Sequence, residues 1–456
     1  MGFSREHNEH RQIDTSVPSI LRIIIPLILS ALSSNVLFLI DRVILMHYSI
    51  DAMNAAMFGG HLVAIYSYIL IVIAGTTEIF VGQYNGAKEY EWIASPVWQM
   101  IYFVIVSLIF VIPIGFFSEH LNLIPSYARE GIEYQRILTY FCWIPALTAA
   151  FTGFFVGRGK TQIITVIVVV GSLINVALDW LFVFGYEDII PSMGCRGAAI
   201  ATIISEAIQM GVLAMAFWSK KNRTTCGTGK NYRFNAKLFC RCLKIGAPMA
   251  FGRCAEMFAL YIVHVALGRV SKELASVQGI ATTIYVLFAF ICEGLTKGTA
   301  TISANFIGQK NLAAIRVTFK NLIYLTLILC FTVMLPLLLA PDSVFQLLRT
   351  LNEDIAPLSS TVQIIFRILF VNITVEALCS IPWGILISGG DSKYPIIVNL
   401  ASAWGLVVVP VLTLFSMGKL NSAVTVHLLS TCWISVCLLL VYLRYRGLKW
   451  YKSVIY

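Results

Sequence analysis

The sequence predicts an all-α polytopic membrane protein: twelve transmembrane helices in two six-helix lobes, related by a pseudo-two-fold axis along the membrane normal. Three observations predict it. Hydrophobic residues make up 58% of the 456 and charged residues only 12%, about half the charged share of a soluble domain; the mean hydropathy is +0.81. The apolar runs are long and continuous, whereas barrel strands would alternate, and helices satisfy their own backbones in lipid. Markers also recur at a fixed offset and divide the chain into two like halves. This composition excludes a soluble enzyme, a disordered chain and a coiled coil.

Apolar runs of about 18 residues or more are read as spans. They lie near 18–46, 55–83, 92–117, 132–156, 162–185 and 196–218, then near 238–267, 275–306, 314–340, 358–388, 394–416 and 421–443. Residues 1–17 are polar and lack the apolar core of a cleaved signal peptide, so the first run is expected to be a span. With the N-terminus inside, 21 Lys and Arg fall on the cytoplasmic side, from Arg5 and Arg11 to Lys449 and Lys452. Six fall outside: Arg129, Arg196, Arg269, Lys272, Arg349 and Lys419. This bias places both termini in the cytoplasm and accounts for the formal charge of +10 without nucleic acid. The domain reading is an N-lobe over 1–218, a basic cytoplasmic linker over 219–237 and a C-lobe over 238–456. The eleven scattered cysteines lack zinc spacing and are expected to be free thiols.

The halves match at particular residues. Pro26 and Pro248 are 222 apart, as are Gly86-Ala87-Lys88 and Gly308-Gln309-Lys310. Gly159-Lys160-Thr161 and Gly390-Asp391-Ser392 are 231 apart. The nine extra residues are assigned to a long loop over 341–357. Six spans return the chain to its starting side, so the axis runs along the membrane normal, and the interface between halves is where transporters hold substrate.

Ionisable groups inside a bilayer cost about 2.5–3.5 kcal/mol each on insertion scales and are functional suspects. The acidic ones are Asp41, Glu78, Asp179, Glu206, Glu256, Glu293 and Glu376. Asn175 and Asp179 are four apart and share a helix face. Carboxylates with an amide oxygen form a hard-oxygen set suited to Na⁺ or a proton. Glu293 with Lys297 and Arg253 with Glu256 are spaced to pair along one helix; Asp41 and Arg42, being adjacent, are not. Gly159-Lys160-Thr161 imitates the end of a phosphate-binding loop, but Phe154 stands where its first glycine belongs and no strand precedes it. No cofactor and no enzymatic activity are expected.

Taken together, these residues resemble the multidrug and toxic compound extrusion (MATE) family over nearly the full length. The likeness rests on Pro26 with Asp41 fifteen residues later, on Gly82-Gln83 with Gly86-Ala87-Lys88, and on Asn175-x3-Asp179 before Phe184-Gly185. Gly194-x2-Gly197-Ala198-Ala199-x2-Thr202, Gly246-Ala247-Pro248 with Glu256, and Glu376 fifteen residues before Asp391 complete it. The resemblance implies two lobes around a V-shaped cleft, alternating access and cation-coupled export of small organic compounds. It implies an N-lobe Na⁺ or H⁺ site of Asp41, Asn175, Asp179 and Thr202, and a second acidic site of Glu256 and Glu376; Glu78 fits a plant and animal pattern. Pro26 is the expected helix hinge. Phe38, Tyr66 and Tyr261 are candidate cleft aromatics for amphipathic cations. A monomer in the plasma (inner) membrane is expected, with the lipid bilayer and small-molecule substrates as partners and no nucleic acid. The alternative is a lipid-linked precursor flippase of the same superfamily.

Overall fold

A computed structural model describes residues 13–117, 130–187, 189–349 and 358–455. Arg5, Arg11 and Arg129 of the charge count lie outside the described residues. The fold is all-helical. Span 1 is Val17–Tyr48 and span 2 is Ile50–Gly75 continued by Thr77–Gly86. Span 3 is Ser95–Phe117; span 4 is Glu130–Phe141 with Trp143–Gly157; spans 5 and 6 are Thr161–Phe184 and Gly194–Phe217. The second half holds span 7 (Ala236–Val270), span 8 (Lys272–Phe288 with Phe290–Gly308) and span 9 (Leu312–Val333 with Leu335–Leu339). It ends with span 10 (Ser359–Ser388), span 11 (Lys393–Ser416, through a π turn at Trp404–Val408) and span 12 (Ala423–Arg446). Among the described residues eleven helices are long and apolar enough to cross a membrane; span 4, bent by 42°, is the twelfth if its halves count as one.

Local chemistry sets the starts. Ser16, Ser49, Asn235, Ser271 and Asn311 each accept a backbone N–H of the following first turn, which satisfies donors that a helix start leaves open. The outer surface is apolar: Ile109 and Phe110 on span 3 are 70% and 71% exposed, as side chains facing lipid tails would be.

One expectation gains detail and another is corrected. The basic segment 219–237, read as the linker between the halves, is structured. It opens with a helix at Lys220–Thr225 and then docks on the start of span 3. Trp98 Nε1 donates to Thr228 O at 3.1 Å, Gln99 Nε2 donates to Arg233 O at 3.1 Å, and Asn235 N–H donates to Gln99 Oε1 at 2.9 Å. Polar groups at a helix start need partners, and the segment supplies them. The 341–357 insertion begins as a helix, Pro341–Arg349, and residues 350–357 lie outside the described set.

The linker, the start of span 1 and the end of span 12 share one face of the bundle, called here the linker face; the other is the far face. The repeat is visible there as two crossed hydrogen bonds. Gln83 Nε2, ending span 2, donates to Ser388 O, ending span 10, at 2.7 Å. Asn305 Nδ2, ending span 8, donates to Gly157 O, ending span 4, at 2.8 Å. Gln83 and Asn305 are 222 apart, and Gly157 and Ser388 are 231 apart, so one bond is the other rotated. The helices cross closely: a Cβ on Gly86 would lie 2.0 Å from Asn305 O, and one on Gly308 2.1 Å from Gln83 O. Only glycine fits at either crossing.

Candidate functional site

In the N-lobe, spans 1, 5 and 6 bring Asp41, Asn175, Asp179 and Thr202 together. Asn175 and Asp179 are each 1% exposed. With its nitrogen turned toward the acids, the Asn175 amide donates to Asp41 Oδ1 and Asp179 Oδ2 at 3.2 Å each. Its oxygen accepts from the Thr202 backbone N–H at 3.2 Å. One amide thus bridges the two carboxyl groups, and buried Asp179 Oδ1 has no protein donor. Two bare carboxylates around one donor repel where the dielectric is low, so this geometry fits a proton or small cation. The Thr202 hydroxyl donates to Ala198 O at 3.0 Å, which leaves its lone pairs available. Arg42 does not neutralise the pair: its guanidinium lies 4.1 Å from the centre of the Phe38 ring. Tyr134 of span 4 sits where Asp41, Asp179 and Glu206 all act on it. On the far face, where span 1 ends and span 6 begins, lies a cavity of about 510 Å³ lined by Tyr48, Glu133, Gly194 and Arg196 among others. Among the described residues no three His, Cys, Asp or Glu side chains form a metal cluster; the N-lobe set is two acids with an amide and a hydroxyl.

The second acidic set is arranged differently. Glu256 Oε1 accepts from Arg253 Nη1 at 3.1 Å, and its Oε2 accepts from Asn399 Nδ2 at 3.1 Å. The Asn399 side-chain oxygen in turn accepts from Trp433 Nε1 at 3.1 Å. Glu376 takes the Tyr285 hydroxyl on both oxygens, at 2.9 and 3.0 Å. Glu256 and Glu376 are close enough to feel each other's charge, but each is held by its own partners.

Between the lobes, Glu78 of span 2 accepts from the Thr301 hydroxyl of span 8 at 2.6 Å. Lys297, one turn before Thr301, makes no ion pair with Glu293 among the described residues, although the i,i+4 spacing suggested one. Nearer the linker face, Asn85 Nδ2 donates to Asn305 Oδ1 at 2.7 Å. The C-terminal segment lies in the same seam. Gln83 Oε1 accepts from the Val454 N–H at 2.8 Å and from Ser453 Oγ at 3.2 Å, while Arg241 Nη1 donates to Ile455 O at 2.9 Å. Trp450 is fully buried, stacked 5.8 Å from Tyr445. Of the proposed cleft aromatics, Phe38 and Tyr261 are exposed, whereas Tyr66 is tied to Thr139 through its hydroxyl.

Sequence reading missed Tyr134, Tyr285, Asn399 and Trp433, because a partner distant in sequence leaves no local signal. The Gln83 and Asn305 pairing was accessible: the 222-residue offset links them.

The MatE family model matches this chain twice, over residues 26–181 and 248–413, more than two thirds of its length. The chain belongs to the MatE family of transporters. The two matches begin at Pro26 and Pro248, so the repeat is a property of the family model as well. YoeA of Bacillus subtilis (strain 168), a probable multidrug resistance protein, is 22% identical over 455 residues, covering 96% of both chains. The probable multidrug resistance protein NorM of Thermotoga maritima is 25% identical over 214 residues, 45% of this chain and 46% of NorM; that match spans about half of the relative. Among solved structures, a MATE protein in its straight conformation superposes with a TM-score of 0.81 at 16% identity, covering 94% of this chain and 95% of the other. The eukaryotic MATE transporter AtDTX14 gives 0.82 at 19% identity, covering 100% and 98%. At such identities the likeness establishes the fold. This MatE chain is therefore a multi-pass membrane transporter with two six-helix lobes, and the comparisons do not favour the flippase reading.

Proposed function

We propose that the chain is a secondary active antiporter of the plasma membrane that exports amphipathic organic cations in exchange for Na⁺ or H⁺. The observation that carries this reading is the Asp41 and Asp179 pair bridged by one Asn175 amide, with a buried Asp179 oxygen that no protein donor satisfies. The basic bias makes the linker face cytoplasmic. The crossed Gln83 and Asn305 bonds close that face, so the arrangement corresponds to an outward-facing state.

The steps follow from charge. A cation or proton enters from the far face, where a cavity of about 510 Å³ lies at the ends of spans 1 and 6, the helices that carry Asp41 and Thr202. It removes the repulsion between the carboxyls, and span 1 bends at Pro26, where one backbone hydrogen bond is missing. That change disfavours the substrate-holding cleft and expels the compound outward. The coupling free energy is the difference in substrate affinity between the two shapes. Acidic groups and an exposed ring such as Tyr261 suit an organic cation.

The test is ethidium efflux from proteoliposomes, with Na⁺ and pH gradients imposed independently. Efflux should follow one gradient and disappear in Asp41→Asn and Asp179→Asn protein of normal yield. Wild-type efflux in both variants would remove the site.

A further inference from the structure

Span 1 runs unbroken through Pro26, although a proline inside a helix has no N–H to give and leaves the carbonyl four residues back without its helical donor. That carbonyl belongs to Arg22. It accepts instead from Thr161 Oγ1 of span 5, at 3.1 Å. One turn on, the carbonyl of Pro26 itself accepts from Thr165 Oγ1 at 2.6 Å. Ser30 Oγ lies 2.9 Å from the same carbonyl and 3.0 Å from Thr165 Oγ1. Ser33 and Ser172 continue the seam at 3.1 Å. Span 5 is also the helix that carries Asn175 and Asp179. One helix therefore grips span 1 twice: by hydroxyls at the proline and by the Asn175 amide at Asp41.

The second half shows that a proline inside a span does not need this grip. Pro248 stands 222 residues after Pro26, and the counterparts of Thr161 and Thr165 at the 231 offset are Ser392 and Ile396. Ser392 Oγ is buried without a hydrogen-bond partner. Ile396 packs where a Cβ on Gly252 would meet it at 2.4 Å. No side-chain hydroxyl bonds Lys244 O or Pro248 O among the described residues.

We infer that Thr161 and Thr165 are positioning residues that hold span 1 straight at its proline and so set how much cation is needed to bend it. This rests on the coupling proposed above. The hydroxyls bond carbonyls that separate when the helix bends at Pro26, so they favour the straight, substrate-holding shape. A bond that favours the shape the cation disfavours lowers apparent cation affinity by the same factor. Removing it must raise that affinity and weaken substrate binding.

The experiment is ethidium efflux from proteoliposomes holding Thr161→Val, Thr165→Val, Thr165→Ser or Ile396→Thr protein. The cation that drives the wild type is titrated, and backbone hydrogen exchange is measured over residues 20–34. Each Val variant should lower the half-saturating cation concentration about two- to tenfold, the factor equivalent to one net hydrogen bond. Each should also raise the KM for ethidium and speed exchange over 20–34. Thr165→Ser should restore wild-type values, and Ile396→Thr should change nothing. Unchanged cation dependence in both Val variants would overturn the inference, as would failure of Thr165→Ser to rescue or an equal shift in Ile396→Thr. Asp41→Asn separates the two ideas. If it leaves cation dependence intact, the coupling reading fails. If it abolishes dependence while the Val variants stay wild type, only the hydroxyl grip fails.

Discussion

Superimposed by their repeat, the two lobes place polarity at different depths. Asp41 stands fifteen residues beyond its proline, roughly 22 Å along the helix, whereas Glu256 stands eight beyond Pro248, roughly 12 Å. The position equivalent to Asp41 is Val263, and those equivalent to Asn175 and Asp179 are Leu406 and Pro410. Val263 packs with Ala403, Val407 and Val411 in an apolar cluster. In the other direction, Glu256, Tyr285 and Asn399 map to Ser34, Val63 and Val168. The electrical character differs as well. The N-lobe acids share one amide donor and no basic side chain, while the Glu256 charge is met by Arg253 and Glu376 is held by a tyrosine hydroxyl. A group already neutralised gains little from an arriving cation. The lobes thus share a scaffold but divide the work: the N-lobe responds to cations and the C-lobe supplies a polar wall.

The largest expected effect tests that division directly. Asp41→Asn or Asp179→Asn should lower coupled efflux on the order of 100-fold, the upper end of ordinary coupling energies. Glu256→Gln, which keeps an acceptor for Asn399, should leave the cation dependence in place. Efflux assays under a fixed gradient decide it; a loss in Glu256→Gln equal to that in Asp41→Asn would make the lobes equivalent.

Arg253→Met sharpens the comparison from the other side. It leaves Glu256 charged and without its cation, which costs about 1–3 kcal/mol of stability once the 44% exposure of Arg253 is allowed for. The loss should be largely reversed in the Arg253→Met/Glu256→Gln double variant, measured by thermal unfolding in detergent. Additive losses would mean that the pair does not act as a unit.

How much of this was legible beforehand depended on distance in sequence. Asn175 and Asp179 announced themselves by spacing, and Asp41 by being charged in an apolar run. The repeat was readable because proline and glycine serve backbone needs that recur wherever the scaffold recurs. Glu256 and Glu376 were visible as acids but not as held acids: Tyr285 and Asn399 come from other helices, and no local pattern selects one tyrosine among nineteen. The i,i+4 rule suggested Glu293 for Lys297, and the rule was insufficient because spacing permits an ion pair without requiring one. The docked linker escaped notice because its backbone carbonyls and one N–H bond Trp98 and Gln99, and any sequence has backbone groups to offer.

The closed face allows a finer contrast between Gln83 and Asn305, which make rotated versions of the same bond. Gln83→Leu and Asn305→Leu should each weaken closure by about 1–3 kcal/mol, since a buried carbonyl loses its donor. Amide exchange over 82–88 and 304–310 reports it. The effect should be larger for Gln83, because its oxygen also takes the Val454 N–H and the Ser453 hydroxyl, whereas the Asn305 oxygen takes Asn85. Ser453→Ala isolates the smallest part of that difference. Ser453 is exposed, and its 3.2 Å bond competes with water, so its loss should cost only about 0.5–1 kcal/mol. Exchange over 82–88 should rise by a few-fold in that variant while 304–310 stays unchanged. An equal rise in both segments would mean that the C-terminal segment braces the whole face rather than its Gln83 side alone.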